Sequence, residues 1–432
     1  MEEWRDETVR RWKQVNNVQF AMYKFKQTTM VADGVAARVA GDRTIPGGAQ
    51  DLTDAQETFE LGPEHVLLTA ALASDLRARP DVNLQSVLQH VVAFTWQHHP
   101  VQVFINAETH LPTAVEWKRA YPAQTFWNAW GDVTTRVYYS MWWLAEGDVR
   151  YPLQLDYVRN GLPDRRITVT DLEINEPISD GEFTIPNDVK TVFNSKPLAL
   201  IDDRPLPMQG ASEIADGVFL ISGAWNTTIV KQPDGLVVIE APISSGYSAK
   251  VIQEARRRYP GLPIKVVIST SDSWPHIGGV REYVAHGVPV YVLDRSLPLL
   301  KRLVAAPHAE RPDTLACAPR AARFVSVRGK TVIGSGANQL EIYPIHGDTS
   351  ERQMMVYFPG RKLLYGSDVF QRNGTQTAHS GLGEFVYPQT VSELRDAVRR
   401  EDLDVETFFM MHIPPTPWSH VMRVRGGPIP QS

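Results

Sequence analysis

The sequence predicts two folds in tandem, of mixed α+β and α/β class: an antiparallel sheet domain with helices, then two sheets sandwiched between helices. Three observations carry this. The first half holds runs that alternate apolar and polar residues and end at turn signals, as half-buried antiparallel strands require. The second half opens with three consecutive strand-like runs and then alternates helices with strands, the order expected of paired sheets covered by helices. Between them, residues 194–209 carry Pro197, Pro205 and Pro207 with weak periodicity, which suits a stiff linker. The predicted limits are a domain over residues 1–195, a linker over 196–209 and a second domain over 210–432, with the halves docked through a fixed interface.

In the first half, Thr8 to Lys26 and roughly Pro63 to Leu76 read as helices. Strand signals follow at 101–106, 111–117, 134–143, 153–159 and 166–174, and Asn160-Gly161 between two alternating runs is a hairpin signal. The aromatic set Trp127, Trp130, Tyr138, Tyr139, Trp142 and Trp143 reads either as core or as the wall of an apolar ligand cleft. In the second half, strands are expected at 217–222, 227–231, 235–240, 264–268, 288–293, 339–343, 353–358, 362–366 and 407–411. Helices are expected at 248–259, 279–286 and 390–401.

The 432 residues are 43% hydrophobic and 22% charged, enough apolar material for substantial cores. A formal net charge of −5 without a dense Lys/Arg block argues against a general nucleic-acid binder. No apolar run approaches bilayer length. Cys317 is the single cysteine, so neither an intrachain disulfide nor a thiolate metal cluster can form. Met1-Glu-Glu-Trp-Arg-Asp-Glu shows no apolar segment of a signal peptide. The expectation is a soluble chain, either cytoplasmic or exported with its leader removed.

The stretch Val266-Val-Ile-Ser-Thr-Ser271-Asp272-Ser273-Trp-Pro275-His276-Ile-Gly-Gly279 joins a buried strand to a polar loop and then to the helical pattern at Val280. It resembles the metal loop of the metallo-β-lactamase superfamily, Thr-His-x-His-x-Asp-His-x-Gly-Gly. Aligned on His276-Ile-Gly-Gly, the two earlier histidines fall on Ser271 and Ser273, the aspartate on Pro275, and only His276 stays. Further landmarks follow in family order: Pro344-Ile-His346-Gly-Asp348, then Leu363-Leu-Tyr-Gly-Ser-Asp368, then Met411-His412. Glu240 stands where the family has a structural aspartate. The resemblance spans 210–425 and implies an αββα sandwich and a hydrolase of esters, lactones, amides or phosphoesters.

The metal ligands so implied are His276, His346, Asp368 and His412. A serine hydroxyl is a poor ligand beside imidazole or carboxylate, and proline offers neither. The position that would use Ser271, Ser273 and His346 is too poor to hold an ion tightly. The other keeps His276, Asp368 and His412, enough for one zinc, iron or manganese ion. Asp272 is the nearest replacement ligand or general base. A plainer reading stands beside this one: His276 caps the helix near Gly279, Asp368 accepts backbone N–H bonds, His412 is packed, and the pocket is metal-free. His379, Glu384 and Tyr387 sit on a plausible site loop. No Gly-x-Ser-x-Gly, P-loop or Gly-x-Gly-x-x-Gly motif is present.

The first half, through Phe104 to Glu116, Gly147-Asp-Val-Arg-Tyr-Pro-Leu and Leu172 to Phe183, resembles the half-barrel domains of outer-membrane lipoprotein-sorting proteins. That implies a curved sheet holding an apolar ligand. The combined expectation is a hydrolase with at most one metal acting on a small molecule. The alternative is a non-catalytic protein that binds an apolar ligand or a partner.

Overall fold

A computed structural model describes residues 1–20, 23–369 and 388–423. The chain forms two compact units, Met1–Trp127 with Gly131–Ala199, and Asn128–Trp130 with Leu200–Ser432.

The first unit contains a five-stranded and a seven-stranded sheet, both antiparallel meanders in sequence order. The five-stranded sheet corrects one prediction. Thr8 to Lys26 is not a helix: Arg11–Phe20 and Tyr23–Ala32 are strands paired from Trp12↔Val31 to Phe20↔Tyr23. Trp12 and Val15, three apart and both buried, imitate a helical stripe. The run is otherwise rich in aromatic and β-branched residues and in Asn16-Asn17, poor helix formers. A partner strand on each side decides the outcome. Helix Val66–Leu72 falls inside the expected segment, and helix Ala49–Leu61 was not expected. In the seven-stranded sheet, Arg150–Arg159 and Leu162–Thr168 turn at Asn160-Gly161, whose φ values of 48° and 79° suit that dipeptide. The aromatic set divides, since Tyr139 is buried while Trp143 is 61% exposed.

The second unit is a helix–sheet–sheet–helix sandwich. Its first sheet runs Ser212–Ala215, Val218–Ile221, Thr227–Gln232, Gly235–Ile239, Ile264–Ser269, Val290–Leu293 and Phe324–Val327. The first three pairings are antiparallel and the rest parallel. The second runs Thr331–Ile333, Leu340–Pro344, Met354–Phe358, Leu363–Tyr365, Thr407–Phe409 and a two-residue strand, Thr416–Pro417.

Strand Gly235–Ile239 shows how two cores arise from one run. Every residue in it is buried, because both faces are covered. Val237 and Ile239 face the second sheet, packing with Val356, Phe358 and Phe408. Leu236 and Val238 face the other way, onto Val251 and Ile252 of helix Ser245–Arg258 and Val280 and Tyr283 of helix Val280–Ala285. Helix Pro388–Arg400 covers the second sheet through Val391, Leu394 and Ala397. No helix among the described residues is long and apolar enough to cross a membrane.

Candidate active site

The site forms where strands of both sheets end. Strand Gly235–Ile239 runs into Glu240, which is fully buried and left-handed at φ 75°. The parallel neighbour Ile264–Ser269 runs into Thr270 and Ser271. A short helix, Trp274–Ile277, follows with Pro275 in its first turn, where a missing N–H costs nothing. Pro275 thus stands in the first turn of the helix that carries His276. Gly278 and Gly279 are demanded by space. A Cβ would lie 2.4 Å from the Ile243 carbonyl oxygen at one and 2.0 Å from Ser248 Oγ at the other.

Three residues named from sequence come together. His276, fully buried, puts Nδ1 2.8 Å from Glu240 Oε2 and Nε2 3.8 Å from Asp368 Oδ2. His412 Nε2 lies 3.1 Å from Asp368 Oδ1. Burial alone would lower the His276 pKa. The Glu240 charge and the Asp368 and Glu240 contacts outweigh it and raise the value to about 10. Burial pushes Asp368 up, but the two imidazoles hold it down at about 2. As placed, the carboxylates of Glu240 and Asp368 alternate with the imidazoles of His276, fully buried, and His412, 21% exposed. Beneath it, Thr270 Oγ1 donates to Glu240 and shares a 2.7 Å hydrogen bond with Ser367 Oγ.

The other named residues stand apart. Asp272 accepts a 2.6 Å hydrogen bond from Arg352 Nε and is paired there. His346 is exposed, at φ 61°, with no side-chain hydrogen bond or ion pair among the described residues. Ser271 bridges to Gln353 across the two sheets, and Ser273 N donates to Ser271 Oγ at 3.2 Å. His276 does not cap the following helix, whose start has no side-chain cap. His379, Glu384 and Tyr387 lie outside the described residues.

Sequence reading missed the parts that orient these groups. The turn after Val218–Ile221 is tied to the His412 segment. Asn226 N donates to the Met411 carbonyl at 2.8 Å, and Asn226 Nδ2 to that of Met410 at 2.8 Å. Within the same turn the Ala224 carbonyl lies 2.6 Å from His412 Nδ1. Gln353 Oε1 accepts from Asp368 N at 3.2 Å. Trp225 and Trp274 meet edge to face with centroids 5.1 Å apart, and the Arg204 guanidinium lies 4.8 Å from the Trp225 ring. Nothing in local spacing announces pairs this far apart in the chain.

Metal binding can be tested on these groups. Among the described residues, no three or more His, Cys, Asp or Glu side chains are set to hold an ion. His276 Nε2 and Asp368 Oδ1 are nonetheless buried without a well-directed hydrogen bond, the condition a cation would relieve. Each imidazole also turns its Nδ1 toward an oxygen, Glu240 or Ala224, and its Nε2 toward Asp368. That is how a ligating histidine is oriented by its second nitrogen.

No family model matches the chain. A probable metallo-hydrolase, YflN, of Bacillus subtilis (strain 168) is 32% identical over 98 residues, covering 22% of this chain and 36% of that protein's length. A metallo-β-lactamase from Pontibacter korlensis aligns with 49% of this chain and 94% of its own, at 18% identity and a TM-score of 0.38. The inverting sec-alkylsulfatase Pisa1 from Pseudomonas sp. aligns with 50% of this chain and 41% of its own, at 14% identity and a TM-score of 0.36. The C-terminal half of the chain resembles the metallo-β-lactamase superfamily, with a hydrolase-type αββα fold. Its His-Ile-Gly-Gly, Gly-Ser-Asp and Met-His segments stand in the order that the resemblance implies.

Proposed function

We propose that the C-terminal unit is a divergent hydrolase holding at most one metal ion on His276, Asp368 and His412, and acting on a small ester, lactone, amide or phosphoester. The observation that supports this most is the convergence of two imidazole Nε2 atoms on one buried carboxylate, 3.8 and 3.1 Å from its oxygens. A bound zinc, iron or manganese ion would supply Lewis-acid polarisation of the oxygen at the scissile centre. Glu240 and the Ala224 carbonyl hold the two rings in place. Asp272, kept by Arg352, is the further carboxylate on the loop and the candidate proton acceptor.

Elemental analysis of the full chain tests the reading. The expected result is no more than one equivalent of zinc, iron or manganese, lost in His412→Ala. Two occupied ions per chain, or metal content indifferent to His412→Ala, would overturn it.

A second reading has its own observation. Both imidazoles already face carboxylates, and no three-residue metal group is set among the described residues. A chain that keeps these ion pairs for structure would be a non-catalytic protein binding an apolar ligand or a partner. Protein with no metal after expression in metal-supplemented medium, and with the same melting temperature in chelator, would favour it.

A further inference from the structure

We infer that the C-terminal unit carries a second ligand site, sharing no residue with the His276 cluster, for a small anion with an apolar body. The site is a cavity of about 590 Å³ between helices Val280–Ala285, Leu297–Ala305 and Thr314–Cys317 and strand Phe324–Val327. That volume is in the range of small-molecule pockets.

Its floor is preformed. Arg281 is 3% exposed, and its Nε and Nη2 donate to the two Asp313 oxygens at 2.6 and 2.9 Å. Arg281 Nη1 donates to the carbonyls of Val304 and, at 3.2 Å, Ala306, two wall residues. Asp313 also caps helix Thr314–Cys317 by accepting from Ala316 N at 2.9 Å. Arg281 is therefore neutralised by Asp313, and it pins the wall rather than offering a charge.

Two lining cations are left over. Lys301 and Arg320 have no ion pair or side-chain hydrogen bond among the described residues. Arg320 is nevertheless seated. Its guanidinium lies against the turn at Gly287, φ 71°, where a Cβ would come within 2.1 Å of Nη1. A glycine at that turn leaves the room the head group occupies. In a chain of net charge −5, this is a local positive excess facing an apolar wall that includes Leu315 and Phe324. The ligand that answers both is a carboxylate or phosphate on a short aliphatic or aromatic body. A bare anion leaves the wall wet, and a neutral apolar molecule leaves the cations to solvent.

The experiment is calorimetric titration of the full-length chain with hexanoate, hexanol and acetate. Hexanoate is expected to bind roughly tenfold more tightly than either control and to lose roughly tenfold in Lys301→Gln/Arg320→Gln. Both substituted residues are exposed, so the fold should survive. Arg320→Glu should turn the preference toward hexylammonium. His412→Ala should leave hexanoate binding unchanged. Equal affinity for hexanol, hexanoate binding indifferent to the double substitution, or loss of binding in His412→Ala would each overturn the proposal.

Discussion

Glu57→Gln in the N-terminal unit should raise stability at alkaline pH and leave it nearly unchanged in acid. Glu57 lies on helix Ala49–Leu61, its side chain 10% exposed. Its Oε1 accepts from Tyr121 OH at 3.0 Å and Trp117 Nε1 at 3.2 Å, with Arg119 Nη1 at 3.5 Å. Burial pushes its pKa from 4.5 to about 7. Arg119 pulls the other way, and Asp54, one turn earlier, adds to the push. The folded state thus keeps a proton that the unfolded chain releases near pH 4.5. This stabilisation is complete below 4.5 and is lost as pH rises through about 7. The gap, 7 minus 4.5, is about 2.5 pH units and corresponds to roughly 3 kcal/mol. Glutamine keeps the acceptor for Tyr121 and Trp117 and removes the titration. Urea unfolding at pH 5, 6.5 and 8, followed through indole fluorescence, should show the variant gaining on the parent across that series. A difference constant with pH, or one that moves against the variant as pH rises, would refute the account of Glu57 as a buried acid kept neutral.

Three further outcomes are expected. Ser271→His, Ser273→His and Pro275→Asp introduced together should raise zinc affinity in a calorimetric titration; no gain in a folded variant would mean that His346, Asp368 and His412 are not disposed as the resemblance implies. Hydrolysis of β-lactams and lactones with added zinc should be feeble in the unmodified chain, and robust turnover would show that a two-ion bridge is not needed. Asn226→Ala should lower stability by about 1–3 kcal/mol, since the buried Met410 carbonyl loses its 2.8 Å donor and keeps only the 3.4 Å bond from Ile413 N. A melting temperature equal to the parent's would show that water replaces it.

The second unit was far more legible in the sequence than the first, for a physical reason. In 235–239 and 264–269 the strands are buried on both faces, so continuous apolar runs bounded by turn residues announce them without register. Over residues 11–19 only Trp12 and Val15 are buried, and that spacing suits a helix as well as a strand. Its state is settled by neighbours that local pattern does not contain. Helix Ala49–Leu61 was missed because its inward face mixes Ala55, Phe59 and Leu61 with Asp51, Glu57 and Glu60, which point at arginine, tyrosine and tryptophan side chains and blur the apolar stripe. At the site, motif order led to His276, Asp368 and His412. Their orienting partners Ala224, Asn226 and Gln353 stayed hidden, since each acts through a backbone group or an amide that no spacing rule marks.

The bonds from Asn226 and Ala224 to the Met410–His412 segment have a consequence for how this protein can be altered. A hairpin tip is ordinarily a tolerant place for lengthening or grafting. Here the tip between Val218–Ile221 and Thr227–Gln232 is laced to a segment from the far end of the chain. An inserted residue would unlace it and turn the His412 ring away from Asp368. Loop exchange at this hairpin therefore has to carry the Met410–His412 segment with it, as one transplanted piece.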